Sequence, residues 1–361
     1  MYTDLETLCL DPRRTVAEAV KHMDLSRLGI VLLIDEARHL VGTITDGDVR
    51  RAILANVDLS APVNTLLRNK APRYATPITA QAGVDRNVYL RLLQDNKILH
   101  LPILDERQRV VGLVTLDEFL PNSVLPLQAV IMAGGAGTRL RPLTNDTPKP
   151  MLTVGDRPLM EIMVEQLRAS GIRRVNVTTH HKRQVITEHF GDGQQFGVEM
   201  NYVTEDRPLG TAGSLGLLDA PKETLLVING DILTELDFRV MLAYHREHRA
   251  LLTVAVARYD VQVPYGIIEC SGASVRGLTE KPQFGFFVNA GIYLLEPEVH
   301  AHIPAGEHCD MTDMIQRLLD KGFPVVAFPV REYWLDIGKV TDYEKAQRDV
   351  RWLRGKEQPE R

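Results

Sequence analysis

Residues 127–143 read LQAVIMAGGAGTRLRPL, and this stretch decides the fold of the chain. Residues 127–133 are almost wholly apolar, which predicts a buried strand. Residues 134–137 place three glycines directly after it, where the backbone can approach a ligand and successive N–H groups can bind an oxyanion. Arg139 and Arg141 add charge-assisted donors for phosphate. The stretch therefore predicts an α/β domain with a phosphate-binding loop at the carboxyl end of a strand.

Two common phosphate-binding loops do not match this stretch. A Walker A loop requires a Gly-Lys-Ser or Gly-Lys-Thr sequence after the glycines, and none follows here. The glycine spacing also differs from the dinucleotide fingerprint, and Arg139 stands where a first helical turn would pack on the sheet. Lys149 opens the sequence KPML ten residues after Arg139, which makes the pattern more specific than a simple glycine turn.

Strand-like runs recur through the second half of the chain with helical stretches between them. They are Val130–Ala133, Val175–Thr179, Glu199–Val203, Leu225–Ile228 and Leu252–Val256. This alternation implies parallel pairing and a ligand site at the carboxyl ends of the strands. The fourth run ends in Asn229-Gly230-Asp231, and a carboxylate in that place suits Mg²⁺. Taken alone, an Asn-Gly turn with Asp231 as a helix cap explains the residues equally well.

The composition is that of a packed, multidomain protein. The chain has 361 residues, of which 44% are hydrophobic and 25% charged, with a formal net charge of −5. No global basic character points to nucleic acid or an anionic membrane surface. The three cysteines have no CxxC spacing, and we identify no signal peptide or apolar run of membrane-spanning length. We therefore expect a cytoplasmic protein.

The first part of the chain contains an internal repeat. LIDEARHLVGTIT at residues 33–45 aligns without a gap with ILDERQRVVGLVT at residues 103–115, at an offset of 70. Self-similarity of this length indicates a duplicated supersecondary unit. Each copy predicts a helix, two strands joined by a polar turn, and a second helix. The predicted elements are Val16–Met23, Ile30–Ile34, Leu40–Thr45 and a helix after Thr45 in one copy, and Val84–Asp95, Ile98–Leu104, Val110–Thr115 and a helix after Thr115 in the other.

A short proline-containing segment separates the repeat from the α/β half. Residues 120–126 contain two prolines in seven residues, which is typical of a linker. We therefore predict repeat units at about 1–60 and 61–121, a linker at 122–126 and a second domain at 127–361.

The α/β half resembles the sugar nucleotidyltransferase family. The signature is AGGAGTRLRPLTNDTPKPMLTVGDRPLMEIMVEQL at residues 133–167, closest to the mannose-1-phosphate guanylyltransferase branch. The resemblance covers about residues 127–350 and implies a Rossmann-like fold with a mixed, mostly parallel sheet. It also implies in-line attack of a sugar 1-phosphate on the α-phosphorus of an NTP, with Mg²⁺ as the cofactor.

The resemblance carries over residue by residue to the motifs present here. The implied catalytic residues are Arg139, Lys149, Asp231 and Asp336, of which Asp231 and Asp336 would share the metal. The implied nucleotide-binding residues are Ala133, Gly134, Gly135, Gly137, Thr138, Glu205, Gly210, Thr211 and Ala212. The implied sugar-phosphate-binding residues are Gly266, Glu280, Lys281 and Asn289. Structural alternatives stand beside these roles: Asp336 could cap the last helix, and Lys281 could form a surface ion pair. His180 and His181 are treated as surface residues without a role.

The repeated half resembles the tandem CBS domain family over about residues 1–121. The motif is Thr45-x-x-Asp48, whose threonine and aspartate contact an adenine nucleotide in that family. The second copy keeps Thr115 but has Glu118 in place of aspartate, which puts the ribose contact there in doubt. Helix capping by Thr45 and Asp48 remains the alternative explanation. CBS pairs commonly dimerise, so the resemblance also implies a homo-oligomer.

The favoured function is a guanylyltransferase that uses GTP with mannose 1-phosphate, or with an amino-sugar or heptose 1-phosphate, under regulation by adenine nucleotides. The alternatives within the class are uridylyl and thymidylyl transfer to glucose-type 1-phosphates. A glycosyltransferase is disfavoured because the only Asp-x-Asp, Asp46-Gly47-Asp48, lies in the repeated half. A non-catalytic nucleotide sensor is the alternative of another class.

Overall fold

The computed structural model describes residues 1–70, 74–119, 124–304 and 306–353. The chain separates into two compact units, Met1–Ser123 and Val124–Arg361. The predicted linker at 122–126 overlaps this division, and its residues 122 and 123 lie outside the described residues. Within the four described ranges, no helix combines the length and the apolar character needed to cross a membrane.

The first copy of the repeat forms a small α/β unit. Its elements are α1 (Leu5–Leu8), β1 (Cys9–Leu10), α2 (Val16–Ser26), β2 (Ile30–Ile34), β3 (Leu40–Thr45), α3 (Asp46–Leu54) and a 3₁₀ helix (Val63–Asn69). The sheet order is β1-β2-β3, parallel in the first pair and antiparallel in the second. Thr15 and Glu18 form a capping box that starts α2, and Val16, Ala19 and Met23 bury its apolar face.

The second copy repeats this sheet. Its elements are β4 (Ala80–Gln81), α4 (Arg86–Asp95), β5 (His100–Leu104), β6 (Val110–Thr115) and a 3₁₀ helix (Leu116–Glu118). Ile30 pairs with Thr45 in the first copy, and His100 pairs with Thr115 in the second, at the same offset of 70. Both sheets also break register one residue before the turn. The predicted duplication is therefore confirmed at the level of individual backbone pairs.

Within the described residues, the helix predicted after Thr115 is confirmed as a short one that begins with a Thr115–Glu118 capping box. Only one 3₁₀ turn forms there, whereas the equivalent Thr45 starts the nine-residue helix α3. Residues 120–123 lie outside the described residues.

The second unit is built on a seven-stranded sheet. The described strands of this unit, in the main sheet and in three two-stranded sheets, are β7 (Leu127–Met132), β8 (Thr153–Val154), β9 (Arg157–Pro158), β10 (Arg174–Thr179), β11 (Glu199–Thr204), β12 (Thr224–Asn229), β13 (Ile232–Thr234), β14 (Leu252–Gln262), β15 (Ile267–Ser271), β16 (Ser274–Thr279), β17 (Gln283–Leu295), β18 (Val325–Pro329) and β19 (Trp334–Asp336). The order is β11-β10-β7-β12-β17-β14-β18, with only β17 antiparallel to its neighbours. The predicted mixed, mostly parallel sheet is confirmed.

Helices cover both faces of this sheet. They are α5 (Leu159–Ala169), α6 (Arg183–Phe190), α7 (Gly210–Gly213), α8 (Phe238–Glu247), α9 (Met311–Asp320) and α10 (Val340–Leu353). One core contains Met160, Phe190 and Phe238 from α5, α6 and α8, and the other contains Ala212 and Met314 from α7 and α9. A third cluster packs α10 against the segment around Leu140 and Leu152. The result is a three-layer α/β/α unit.

Candidate active site

The glycine loop lies at the switch point of the sheet. It leaves the end of β7 between β10 and β12, where strand order reverses and ligands of open α/β sheets bind. Ala133 N donates to Thr178 O at 2.9 Å, and Gly230 N donates to Met132 O at 2.9 Å, so both neighbouring strands hold the start of the loop. Gly137 has φ +62°, which favours glycine, and a 3₁₀ helix (Thr138–Leu140) follows it.

Glu205 packs directly against this loop. A Cβ on Gly134 would lie 2.7 Å from Glu205 Oε1, so only glycine fits there without displacing the carboxylate. Glu205 is buried, and its Oε2 accepts from Leu209 N at 3.0 Å. The side chain therefore links the glycine loop to the segment that leads into α7.

The predicted nucleoside segment is tightly packed against the start of α9. Gly210 has φ +77°, and a Cβ on it would lie 2.6 Å from Cys309 O. The same Cys309 carbonyl accepts from Ala212 N and Gly213 N at 2.9 and 2.8 Å, and Thr211 Oγ1 accepts from Met311 N at 2.8 Å. These contacts explain the small residues structurally, so the ligand role of Gly210, Thr211 and Ala212 stays a prediction.

His180 lies beside the loop, although the sequence analysis assigned it no role. It follows β10, and its Nδ1–H donates to Glu205 O at 2.8 Å. Its Cβ lies 3.7 Å from the position that a Cβ on Gly134 would occupy. Its position at the carboxyl end of a predicted parallel strand could have indicated that it lies next to the glycine loop.

The four predicted catalytic residues converge near the ends of β12 and β19. Ile337 N donates to Asp231 O at 3.0 Å, and Ile232 pairs with Asp336 in the β13–β19 sheet, so two remote segments meet. Lys149 Nζ forms an ion pair with Asp231 Oδ2. Next to a Cβ position on Gly338 lie Asp336 Oδ1, at 3.7 Å, and Arg139 Nη1, at 3.9 Å.

The electrostatics of this cluster fit a divalent cation. Partial burial and the negative charge of Asp231 raise the pKa of Asp336, against the lowering effects of Lys149 and Arg139. Asp231 Oδ1 is buried and has no hydrogen-bond partner among the described residues. A hard cation with oxygen ligands would satisfy that atom and reduce the repulsion between the carboxylates.

The donor set is too small to hold an ion by itself. Within the described residues, no group of three or more His, Cys, Asp or Glu side chains is arranged for a metal. This matches the usual mode of Mg²⁺, which takes one or two carboxylates and completes its shell with substrate phosphates and water.

The residues predicted to bind the sugar phosphate fall into two places. A Cβ on Gly266 would lie 2.8 Å from Glu280 Oε2, so those two residues are in contact, and Lys281 adopts φ +45° beside them. Asn289 lies on β17, where its Oδ1 accepts from Gly291 N at 3.0 Å. In the described parts of the chain, no hydrogen bond or ion pair joins Glu280 or Lys281 to the carboxylate cluster.

Tyr293 is a further residue near the cluster that sequence reasoning missed. Its side chain is almost fully buried, and burial raises its pKa to about 12, with Asp310 and Asp231 adding to the rise and a hydrogen bond from Asn289 opposing it. The phenol therefore stays neutral and supplies a hydrogen-bonding group close to Asn289 and Asp231.

In the repeated half, Thr45 and Asp48 form a capping box at the start of α3. Both carboxylate oxygens are engaged, Oδ2 by Lys70 Nζ at 2.9 Å and Oδ1 by Arg51 Nη2 at 2.7 Å. Burial alone would raise the pKa of Asp48, but Lys70 and these hydrogen bonds hold it below its usual range. A cavity of about 210 Å³ lies beside it, lined by Asp48, Arg51, Ala52, Ala55, Leu66 and Asn69. Thr115 and Glu118 form the equivalent capping box.

The structure places a glycine loop at the switch point of a mixed α/β sheet, with basic residues and two carboxylates around it. The chain belongs to the nucleotidyl transferase family, whose model matches residues 128–351, and the CBS domain model matches residues 3–55 and 90–123. The predicted family and tandem CBS domains are thereby confirmed.

Similar proteins include two curated nucleotidyltransferases. A UTP–glucose-1-phosphate uridylyltransferase of Synechocystis sp. is 34% identical over 245 residues, covering 62% of this chain and 63% of that protein. A mannose-1-phosphate guanylyltransferase of Mycobacterium tuberculosis is 32% identical over 232 residues, covering 62% and 64%. The match thus spans somewhat less than two thirds of each relative.

The fold also resembles a solved structure. A Bacillus anthracis protein, described provisionally as a glucose-1-phosphate thymidylyltransferase and crystallised with sucrose, superposes with a TM-score of 0.52 at 26% identity. The superposition covers 62% of this chain and 95% of that one.

Proposed function

We propose that this chain is a sugar-1-phosphate nucleotidyltransferase, which converts an NTP and a sugar 1-phosphate into an NDP-sugar and pyrophosphate. The observation that carries the proposal is the convergence of Arg139, Lys149, Asp231 and Asp336 beside a glycine loop at the sheet switch point. Membership of the nucleotidyl transferase family supports the same reaction class.

Catalysis in this proposal is positioning and charge neutralisation. The nucleophile is a phosphate oxygen that already carries negative charge, so no general base is required. The glycine loop, residues 133–138, seats the triphosphate through backbone N–H groups. Arg139 stabilises charge that develops on the departing pyrophosphate, and Lys149 lies near the α-phosphate. Lys281 and Glu280 align the sugar phosphate, with Gly266 and Asn289 at the sugar edge.

Mg²⁺ is the proposed cofactor. Asp231 and Asp336 would hold it, because both supply carboxylate oxygens and Asp231 Oδ1 has no hydrogen-bond partner in the part of the chain that the structure describes. When bound, the ion neutralises phosphate charge. Lys149 forms an ion pair with Asp231, and its ammonium would also contact the substrate phosphate.

For the substrates, we propose GTP with mannose 1-phosphate, or with an amino-sugar or heptose 1-phosphate. The M. tuberculosis relative, a mannose-1-phosphate guanylyltransferase at 32% identity, supports this pair. The second candidate is uridylyl transfer to a glucose-type 1-phosphate, which the Synechocystis relative at 34% identity favours.

For the repeated half, we propose an adenine nucleotide effector at the CBS pair. Asp48 would have to exchange its contacts with Lys70 and Arg51 for a ligand, because both of its oxygens are engaged. We also propose a cytoplasmic location, which the three cysteines without disulfide bonds support.

The test is pyrophosphate release across four NTPs crossed with a panel of sugar 1-phosphates, with Mg²⁺ and with EDTA. We expect a Mg²⁺-dependent signal confined to one NTP. Folded protein that stays silent across the grid, with and without AMP, ADP or ATP, would contradict the reaction class.

A variant pair tests the carboxylate assignment in the same assay. We expect Asp231→Asn to lower kcat by roughly 10²–10³-fold, as loss of a key electrostatic group does. Asp237→Asn is the matched control, because Asp237 caps α8 through its contact with Arg239 N and takes no part in the cluster. Near-normal turnover of Asp231→Asn would remove that residue from the metal site.

A further inference from the structure

Lys182 has an uncommon backbone conformation close to the glycine loop. It lies three residues after β10 and directly before α6, with φ +54° and ψ +40°. This left-handed conformation is unfavourable for a residue with a Cβ, and residues held in it are concentrated at ligand sites. The side chain does not cap α6, so helix capping does not explain the conformation.

The side chain of Lys182 reaches the segment that follows the glycine loop. Its Nζ donates to Thr144 O at 3.1 Å and also to Asn145 O. In the part of the chain that the structure describes, the ammonium has these two carbonyl partners and no carboxylate partner. An ammonium has three N–H donors, so one donor and the full positive charge remain for a ligand.

Thr144 transmits this contact to the glycine loop. The residue is almost fully buried, and its Oγ1 donates to Gly137 O at 2.8 Å. Its Cγ2 lies 2.9 Å from the position that a Cβ on Gly137 would occupy, so the methyl group fills the space beside the glycine. Gly137 leads into the 3₁₀ helix that carries Arg139. Through Thr144, Lys182 therefore holds the end of the loop from which Arg139 projects.

The two ends of the loop are thus held by different groups. Glu205 packs against Gly134 at the start of the loop, and Thr144 packs against Gly137 at its end. Backbone N–H groups bind an oxyanion only when they point into one concavity, and a displacement of about 1 Å can cost roughly 10²-fold in rate. The contact from Lys182 therefore bears on the ligand of the glycine loop.

The charge of Lys182 indicates that this ligand is an anion. Lys182 is the N-cap of α6, where the helix dipole favours negative over positive charge. A neutral donor would hold the same two carbonyls without the cost of desolvating a cation. A phosphate group near the loop would offset both costs, because it supplies the charge that the protein does not.

We propose that Lys182 is a positioning residue for the triphosphate of the NTP. It fixes the end of the glycine loop through Thr144, and it adds an unneutralised positive charge beside that loop. The inference rests on the proposed function, because it concerns the same nucleotide site. It names a residue outside the four proposed catalytic residues and outside the sugar-phosphate set, so its effect should be confined to the nucleotide.

The test is the KM for each substrate in Lys182→Met, measured by pyrophosphate release. We expect the KM for the NTP to rise roughly ten- to hundredfold, as loss of a charge-assisted hydrogen bond does, and the KM for the sugar 1-phosphate to stay within about twofold. Lys182→Arg keeps the charge and the donors and should restore at least part of the loss. Arg183→Met is the matched control, because Arg183 is the exposed next residue and the variant removes the same charge.

Two substitutions of Thr144 test the connection to the loop. Thr144→Val keeps the methyl group beside Gly137 and removes the hydroxyl that donates to Gly137 O, so we expect the KM for the NTP to rise. Thr144→Ser keeps the hydroxyl and should raise it less. The double variant of Lys182→Met with Thr144→Val should lose less than the product of the single losses, because both residues act on one contact.

Direct titration with GTP and with UTP, in the presence of MgCl₂, separates failure of this inference from failure of the proposed function. A folded wild type that binds neither nucleotide overturns the proposed function. A wild type that binds one of them, with a Kd that Lys182→Met leaves unchanged, overturns the role of Lys182 alone.

Three further results would also overturn the role of Lys182. A lower free energy of unfolding in Lys182→Met with an unchanged Kd would make the residue a structural tether only. Equal weakening by Arg183→Met would show that charge near α6 matters and the contacts of Lys182 do not. An equal rise in the KM for the sugar 1-phosphate would remove the link to the nucleotide. Fluorescence of Trp334, which lies on β19, establishes that each variant is folded.

Discussion

Replacing Gly210 with alanine tests whether the packing of the nucleoside segment against α9 is as tight as the structure indicates. Gly210 has φ +77°, and the new Cβ would lie 2.6 Å from Cys309 O and 2.7 Å from Asp310 Oδ1. The carbonyl of Cys309 accepts two backbone hydrogen bonds, from Ala212 and Gly213. The substitution must therefore move backbone as well as strain the new residue.

The chain offers a matched control for the strain alone. Gly322 follows α9 with φ +75°, and a Cβ on it would meet nothing within 4 Å. Left-handed backbone costs an alanine roughly 1–2 kcal/mol, offset by about 0.4–1 kcal/mol from the stiffer unfolded chain. We expect Gly322→Ala to lower the free energy of unfolding by about 1 kcal/mol or less.

Gly210→Ala adds the clash to this strain. Weakening two hydrogen bonds at about 1 kcal/mol each brings the expected loss to roughly 3 kcal/mol. The KM for the NTP should also rise, because the predicted nucleoside segment begins at Gly210, whereas Gly322→Ala should leave KM unchanged.

Urea unfolding followed by tryptophan fluorescence measures this difference. Trp334 and Trp352 are the only tryptophans, so the signal reports on the second unit alone. Losses for the two variants that agree within about 0.5 kcal/mol would refute the packing argument, because the two glycines share the same φ and differ only in crowding.

Three further predictions follow from the charged groups. Lys149→Met should lower kcat/KM by roughly 10²–10³-fold. The double variant with Asp231→Asn should lose less than the product of the two single losses, because the two residues form one ion pair. A loss equal to that product would show that they act separately. Burial lowers the pKa of His245, so the unfolded state binds more protons below about pH 6.5, and the free energy of unfolding should fall as pH drops below that value. Urea unfolding at pH 7 and at pH 5 should show a smaller loss of this free energy for His245→Gln than for the wild type. Equal losses in the two proteins would contradict a buried neutral His245. Lys70→Met removes a buried partner of Asp48 and should destabilise the first unit by about 3 kcal/mol, measured by circular dichroism, with exposed Lys21→Met as the control.

Local sequence patterns predicted much of the fold. Apolar runs of strand length identified β7, β10 and β12 within a residue or two, because a strand buried on both faces needs a continuous apolar stretch. The run at Glu199–Val203 also identified β11, a partly exposed strand at the edge of the sheet. The β14 run was correct at its start but stopped at Val256, whereas the strand continues to Gln262. Its outer half alternates between a polar and an apolar face, and so lacks the continuous apolar stretch that marks a buried strand.

The candidate site was predictable in its parts and not in its assembly. The glycine loop was predictable because its positions require glycine: Gly137 has φ +62°, and Gly134 has no room for a Cβ beside Glu205. The roles of Asp231 and Asp336 stay predictions, but their proximity follows from the pairing of β13 with β19, which no local pattern encodes. His180 was missed since its position matters only once β10 lies beside β7 and the loop that follows it.

The sequence by itself determined the duplicated unit at an offset of 70, the position of the glycine loop after β7 and the alternation of strands and helices. These features are local, because backbone periodicity and glycine conformation depend on residues close together in the chain. The tertiary structure alone decided which remote groups meet: Lys149 with Asp231, Glu205 with Gly134, and Lys70 with Asp48. Such contacts depend on how the strands order and the helices cover them, which is set by burial of the whole core.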